Sequence, residues 1–314
     1  MISVITTLNA ILPSFVIMFC GWIVQRTGVV THRFLNEASR LVFFVALPVM
    51  ITVKFYEVDS SQVFPTRQIA VCVIATLIYC LVSWLIVRKI APTKAAIGAM
   101  FQGATRSNFA AIGLYLINTL FGHAGLLNAT LLMMATIPIN NVTSVLVLSK
   151  YAPDKGNAKR GSIIKTIIMN PMVLSLAVVP LIWFKPPIPS FILHAAHDIS
   201  ALTLPLALIA VGASMQFSRI RDHIWAGGVT IILKLIVMPV IVVGFAVFAG
   251  IRGLDLASIA LFAATPTATA SYILAKQFHS DAEMTSWIIA ACTLTSLATL
   301  PVLIIILRLL KLVP

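Results

Sequence analysis

The sequence predicts an all-α integral membrane protein. Ten transmembrane helices form two inverted repeats of five, with broken helices 4 and 9 crossing at the centre. Three observations carry that expectation: long apolar runs almost free of charge, proline landmarks that recur at a fixed offset, and two spans interrupted at the same place in each half. Of the 314 residues, 60% are hydrophobic and 10% charged, and the mean hydropathy is +1.04. Soluble domains run near ~45–50% apolar and ~25% charged, so a pair of soluble domains is excluded by lack of polar surface.

A helix that crosses the hydrocarbon core needs about 20 mostly apolar residues. Ten stretches qualify: 3–25, 36–55, 68–88, 95–120, 125–149, 163–184, 190–216, 224–250, 255–277 and 284–309. The first is a retained span, because no positive charge precedes it and the first basic residue is Arg26. Spans 1, 2, 6 and 7 contain Pro13, Pro48, Pro171 and Pro205, each of which removes a backbone donor. Spans 4 and 9 are the most interrupted, with "GATRSN" in one and "AATPTATAS" in the other. Span 5 carries Pro138, Asn140 and Asn141, span 8 carries Lys234, and span 10 carries Pro301. Barrel strands are excluded, since the runs are continuously apolar instead of alternating over ~10 residues.

Charge fixes the expected orientation. With the N-terminus outside, the inner loops and span ends hold 14 of the Lys and Arg residues and the outer side holds 6; the remaining two, Arg106 and Lys234, lie deep inside spans. That bias places both termini away from the cytoplasm of a multi-pass inner (plasma) membrane protein. The net charge of +13 therefore reflects loop anchors facing lipid headgroups, and no basic stretch interleaved with aromatics points to nucleic acid. The four cysteines, all in apolar runs and without a CxxC pair, indicate neither a disulfide framework nor a zinc site.

The halves echo one another. Pro13 and Pro171 are 158 residues apart, Pro48 and Pro205 are 157 apart, and Phe121 and Phe278 are again 157 apart. This divides the chain into a first repeat at 1–150, a cytoplasmic linker at 151–162 and a second repeat at 163–314. Five spans per repeat turn the second repeat upside down, an architecture that recurs in secondary transporters with substrate held near the midplane by interrupted helices. Backbone groups freed at such breaks cannot face lipid. Two breaks meeting at the centre turn half-helix N-termini, positive in character, towards whatever lies between them.

The candidate binding residues follow from these breaks. Arg106, with Thr105 and Ser107 beside it, lies in a region with no acidic residue between Asp59 and Asp154. Its guanidinium either clamps a substrate carboxylate bidentately, caps helix carbonyls, or snorkels to the inner side. Asn108 can donate its amide to the same carboxylate or satisfy freed backbone. Thr265, Thr267, Thr269 and Ser271 supply hydroxyls around Pro266, although such hydroxyls also bond back to carbonyls in their own helix. Asn140 and Asn141 line the same depth, with interhelical hydrogen bonding as the rival role. Lys234 attracts anions, responds to pH or snorkels, and Lys276 is an interfacial anchor. His194, His197 and Asp198 share a face with metal-ligand spacing but sit at a span end, where interfacial polarity explains them. No metal or cofactor is expected.

At "TPTATASYILAKQF" (265–278), "LATLPVLIIIL" (297–307), "RSN" (106–108) and Gly113 the chain resembles the auxin efflux carrier family, which includes plant auxin carriers and bacterial carriers of malate and malonate. The resemblance covers nearly the whole chain. It implies a ten-span inverted repeat of the kind shared by bile-acid symporters and plant auxin carriers. Spans 1, 2, 6 and 7 would form a dimerising scaffold, and spans 3–5 and 8–10 a moving transport unit that works by an elevator-type motion. It also implies that Asn108 and Pro266 are the family's crossover asparagine and proline. Ser107, Tyr115 and Ser271 stand where plant carriers have prolines, and the hydrophilic loop is short, Tyr151–Lys165. These departures point away from auxin and towards a bacterial organic-anion carrier.

The expected function is thus secondary transport of a small mono- or dicarboxylate. A sodium-coupled acid symporter of the bile-acid type is the nearest rival. An intramembrane enzyme is disfavoured because every histidine lies near a span end and deep acids are missing. A channel would show repeated charged rings, and an ATP-driven pump a G-x-x-x-x-G-K-[ST] loop.

Overall fold

The computed structural model describes residues 2–57, 65–152, 187–213 and 224–314. The predicted sixth span, nearly all of the linker, Pro171, and Arg219 and Arg221 lie outside the described residues. Among those described, the backbone is helical throughout, with one isolated antiparallel bridge between Ser107 and Thr267. The helices are α1 (Ile2–Arg26), α2 (His32–Leu41), α3 (Leu47–Glu57), α4 (Thr66–Ile90), α5 (Lys94–Thr105) and α6 (Leu114–Tyr151). They continue as α7 (Ser190–Ala213), α8 (Ile224–Ile232), α9 (Met238–Phe248), α10 (Gly253–Ala264), α11 (Ala270–Gln277) and α12 (Ala282–Leu309). Three π-helical turns, Val42–Ala46, Phe109–Gly113 and Leu233–Val237, join neighbouring segments.

Among the described residues, five helical stretches are long and apolar enough to cross a membrane: Thr66–Ile90, Phe109–Tyr151, Ser190–Ala210, Ile224–Phe248 and Ala282–Leu309. The predicted spans 4 and 9 are instead pairs of half-helices. Arg106 (φ −83°, ψ 114°) ends α5 and Thr265 (φ −62°, ψ 144°) ends α10, both in extended conformation. Each preceding half-helix has 12 residues. Predicted spans 4 and 5 meet at Gly122, whose φ of 63° and ψ of −157° interrupt α6 at the turn between them. A side chain there would strain the left-handed backbone that glycine adopts freely.

Two of the π turns have a covalent cause in sequence. Val42–Ala46 and Leu233–Val237 each end two residues before a proline, Pro48 and Pro239. The prolyl nitrogen has no hydrogen to give the carbonyl four residues back, so the ladder loosens and widens to the i→i+5 register. In the second case the widened turn holds Lys234.

Ends of helices are tied together in two groups. Arg67 of α4 donates to Ala249 O after α9 (2.6 Å), and the N–H of Gly253 bonds Leu312 O (2.9 Å). At the opposite ends, Ser280 donates to Ala95 O (2.7 Å), and Trp84 donates to the Tyr151 hydroxyl (3.3 Å). Arg88 and Lys150 both lie over the Trp84 ring, 4.8 and 4.7 Å from its centroid, as cations at an interfacial aromatic do. Lys276 is exposed and lies 4.6 Å from the Tyr272 ring, in keeping with an anchor. The outer faces of α1, α4 and α7 expose Phe19, Leu81 and Phe191, which suits lipid.

α1 runs along α7, and α4, α5, α6, α8 and α10 pack around the central breaks. Small residues set the α1–α7 approach: a β-carbon at Gly21 would overlap the carbonyl of Ile209, and one at Gly212 would overlap the carbonyl of Met18. Close approach through small residues is the usual way helices associate in lipid, where apolar contact alone gives no driving force. Gly21→Ala is therefore expected to destabilise by about 1–3 kcal/mol, the usual cost of overpacking. Gly244→Ala on the exposed face of α9, with open space at the added carbon, is expected to leave the melting temperature unchanged or raise it. Thermal unfolding of both variants in one detergent compares them directly.

Candidate functional site

The two breaks meet in the protein interior. Asn108 N–H donates to Pro266 O (2.8 Å) and Ala268 N–H donates to Arg106 O (3.0 Å), pairing the extended segments antiparallel around Ser107 and Thr267. Each half-helix end leaves carbonyls whose natural donors have moved away, and four of them receive a replacement. Gly103 O accepts the Thr267 hydroxyl (2.6 Å) from the other break. The Tyr79 hydroxyl of α4 lies between Ala104 O (3.1 Å) and Leu233 O (2.7 Å). Phe262 O, deprived of a donor by Pro266, takes the Thr265 hydroxyl (3.2 Å). Ala263 O takes the ammonium of Lys234 (2.8 Å).

The predicted residues divide on this geometry. Arg106 is buried; one terminal nitrogen donates to Asn141 Oδ1 (2.8 Å), while Nε is buried without a partner. Snorkelling is thereby overturned for Arg106, whose guanidinium stays inside against α6. Asn108 is buried, and its side-chain Nδ2 has no partner. Asn140 Oδ1 is likewise unsatisfied, while Asn141 is engaged by Arg106, which fits the rival interhelical role. Thr105 bonds back to Phe101 O (2.8 Å) and Thr265 to its own helix, so both hydroxyls serve the backbone. Thr267 links the two breaks, and Pro266 supplies the carbonyl that Asn108 uses. Ser107 accepts from Lys234 (2.8 Å). Thr269 precedes α11 without capping it, and Ser271 is fully buried with a free hydroxyl.

Lys234 belongs to this site. It is fully buried, with its ammonium on Ser107 Oγ, Ala263 O and Met238 Sδ (3.1 Å), so it does not snorkel. Depth in the sequence could have settled that: ten residues of helix span about 15 Å, further than a four-carbon stem reaches. Gln102, one turn before Arg106, is fully buried with both amide atoms unpartnered, and Ser144 Oγ, one turn beyond Asn140, is unpartnered too. Their signal was a polar residue one turn from a recognised one. His194, His197 and Asp198 lie on α7, and no group of three side chains placed to ligate a metal occurs among the described residues.

A second polar cluster lies where α4, the second part of α6 and α10 begin. Asn128 donates to Asp255 Oδ1 (2.6 Å) and accepts from Gln68 (2.8 Å) and Ser258 (2.6 Å), beside a cleft of about 500 Å³. These residues stand at the starts of predicted spans 3, 5 and 9, and that shared depth was the only sequence sign of them.

Apolar crossing helices and paired breaks lined with cations and amides define a membrane transport protein. Residues 6–304 match the profile of the family described as "Membrane transport protein". The chain belongs to that family, the auxin efflux carrier type. It is similar to an uncharacterized transporter of Methanothermobacter thermautotrophicus, 25% identical over 298 residues, with 93% of this chain and 96% of the relative covered. A second uncharacterized transporter, from Methanocaldococcus jannaschii, is 20% identical over 285 residues, covering 88% and 91%.

The bond from Thr267 to Gly103 gives a direct check on the crossover. Thr267→Val keeps the shape but leaves a buried carbonyl unsatisfied, with an expected loss of about 1–3 kcal/mol. Thr267→Ser is expected to retain most of that stability, as read by thermal unfolding in detergent.

Proposed function

We propose that this protein is a secondary carrier of small organic anions, mono- or dicarboxylates of the malate or malonate kind. The observation that carries the reading is a set of buried donors without acceptors at the crossover. Arg106 Nε and Asn108 Nδ2 flank Ser107, and neither has a partner. Buried polar groups in native proteins are nearly always satisfied, so donors left open in this way call for a ligand or water. A carboxylate accepts from both, with the charge-assisted strength that a guanidinium confers. The half-helices beginning at Phe109 and Ala270 add N-terminal dipoles of the same sign.

In this reading Arg106 holds the carboxylate and Asn108 orients it, with Ser271 and Asn140 as further contacts. Spans 3–5 and 8–10 move as one unit against a scaffold of spans 1, 2, 6 and 7, carrying the site across an inner membrane. Two copies associate through the scaffold, and both termini face away from the cytoplasm. Support for the moving unit comes from the bonds that tie α4, α5, the π turn Leu233–Val237 and α10 to one crossover.

Isothermal titration of purified protein with malonate tests the assignment. Arg106→Ala and Asn108→Ala are each expected to weaken binding about tenfold to a hundredfold, since a hydrogen bond to a charged group contributes about 1.5–3 kcal/mol. Arg106→Lys is expected to recover only part of the loss, because a point charge lacks the planar fork. Unchanged affinity in both alanine variants would remove the clamp.

A further inference from the structure

We infer that Lys234 is a specificity-determining residue that sets how many negative charges the bound anion must carry; the inference rests on the anion-carrier reading above. Three neutral acceptors hold its ammonium: Ser107 Oγ at 2.8 Å, Ala263 O at 2.8 Å and Met238 Sδ at 3.1 Å. An ammonium has three hydrogens to donate, and all three are used. The group is thus fully hydrogen-bonded but not neutralised.

Its position relative to the site is fixed from two sides. Ser107 lies between Arg106 and Asn108, so the ammonium is one hydroxyl away from the proposed carboxylate clamp. Ala263 is the penultimate residue of α10, so the same ammonium sits on the negative end of that half-helix dipole. The dipole offsets part of one charge, equivalent to about half an elementary charge at a helix end. Arg106 adds a second buried positive charge, met by the neutral amide of Asn141. The crossover therefore carries more positive charge than its own polar groups balance. Burying charge without a counter-charge is costly, and an incoming anion is the partner that relieves it.

A singly charged acid satisfies the Arg106 fork and leaves the field of Lys234 unbalanced. A doubly charged acid of the same backbone balances both. Lys234 does not touch the ligand in this account. It acts through the field and through Ser107, whose hydroxyl oxygen it engages, leaving that hydroxyl hydrogen free to point at the anion.

The test compares malonate with monomethyl malonate, two ligands of similar shape that differ by one charge, by isothermal titration at neutral pH. Wild type is expected to prefer malonate by about tenfold or more. In Lys234→Gln and Lys234→Met that ratio is expected to fall towards unity, mainly through weaker malonate binding. Ser107→Ala removes one hydrogen bond and keeps the charge, so its ratio is expected to stay above those of both Lys234 variants. Thermal unfolding accompanies each titration, and Lys234→Met, isosteric with the aliphatic stem, serves if Lys234→Gln fails to fold. A wild-type ratio near unity, or a ratio unchanged in the folded Lys234 variants, overturns the role of Lys234 while leaving the carrier reading intact. Absence of binding by wild type to either acid overturns both.

Discussion

Interrupting a helix inside a membrane frees carbonyls that lipid cannot satisfy, and this constraint organises the centre of the molecule. Four such carbonyls, those of Gly103, Ala104, Phe262 and Ala263, receive donors from Thr267, Tyr79, Thr265 and Lys234. Only one of these donors, Thr265, comes from the half-helix that it caps. The others cross from the opposite break or from α4 and the π turn ahead of α9. Satisfying the backbone thus ties four separate elements to one point. The break and its surroundings form a single cooperative unit, because moving any donor strands a buried carbonyl.

The same accounting separates structure from function among neighbouring polar groups. Hydroxyls of Thr105, Thr265 and Thr267 are consumed by carbonyls. Gln102, Arg106 Nε, Asn108 Nδ2, Asn140 Oδ1, Ser144 and Ser271 are not consumed. Groups of the second kind are where a ligand has something to gain. Arg106 Nε and Asn108 Nδ2 flank Ser107, and the bond from Arg106 to Asn141 brings that turn of α6 to the break.

Much of this was legible in the sequence, for physical reasons. Hydropathy located the helices because lipid demands continuous apolar length, and Pro266 with the Thr- and Ser-rich flanks marked a break because each weakens the ladder. Charge isolation marked Arg106. The identity of donors was not legible, since Thr267 to Gly103 spans 164 residues and depends on how two segments cross. Lys234 was visible as an anomaly, but its partners, Ser107 and Ala263, are fixed only by the widened turn before Pro239. The Gln68–Asn128–Asp255 cluster was hidden because each residue alone resembles an ordinary polar span end.

The paired breaks are proposed to form an anion site in the interior. A structure determined with malonate bound tests it most directly. Ligand density is expected to touch the guanidinium of Arg106 and the side-chain amide of Asn108, with Lys234 still on Ser107 and Ala263. Malonate bound instead in the cleft beside Arg67 and Asp255, with the crossover closed around its own polar groups, would contradict it.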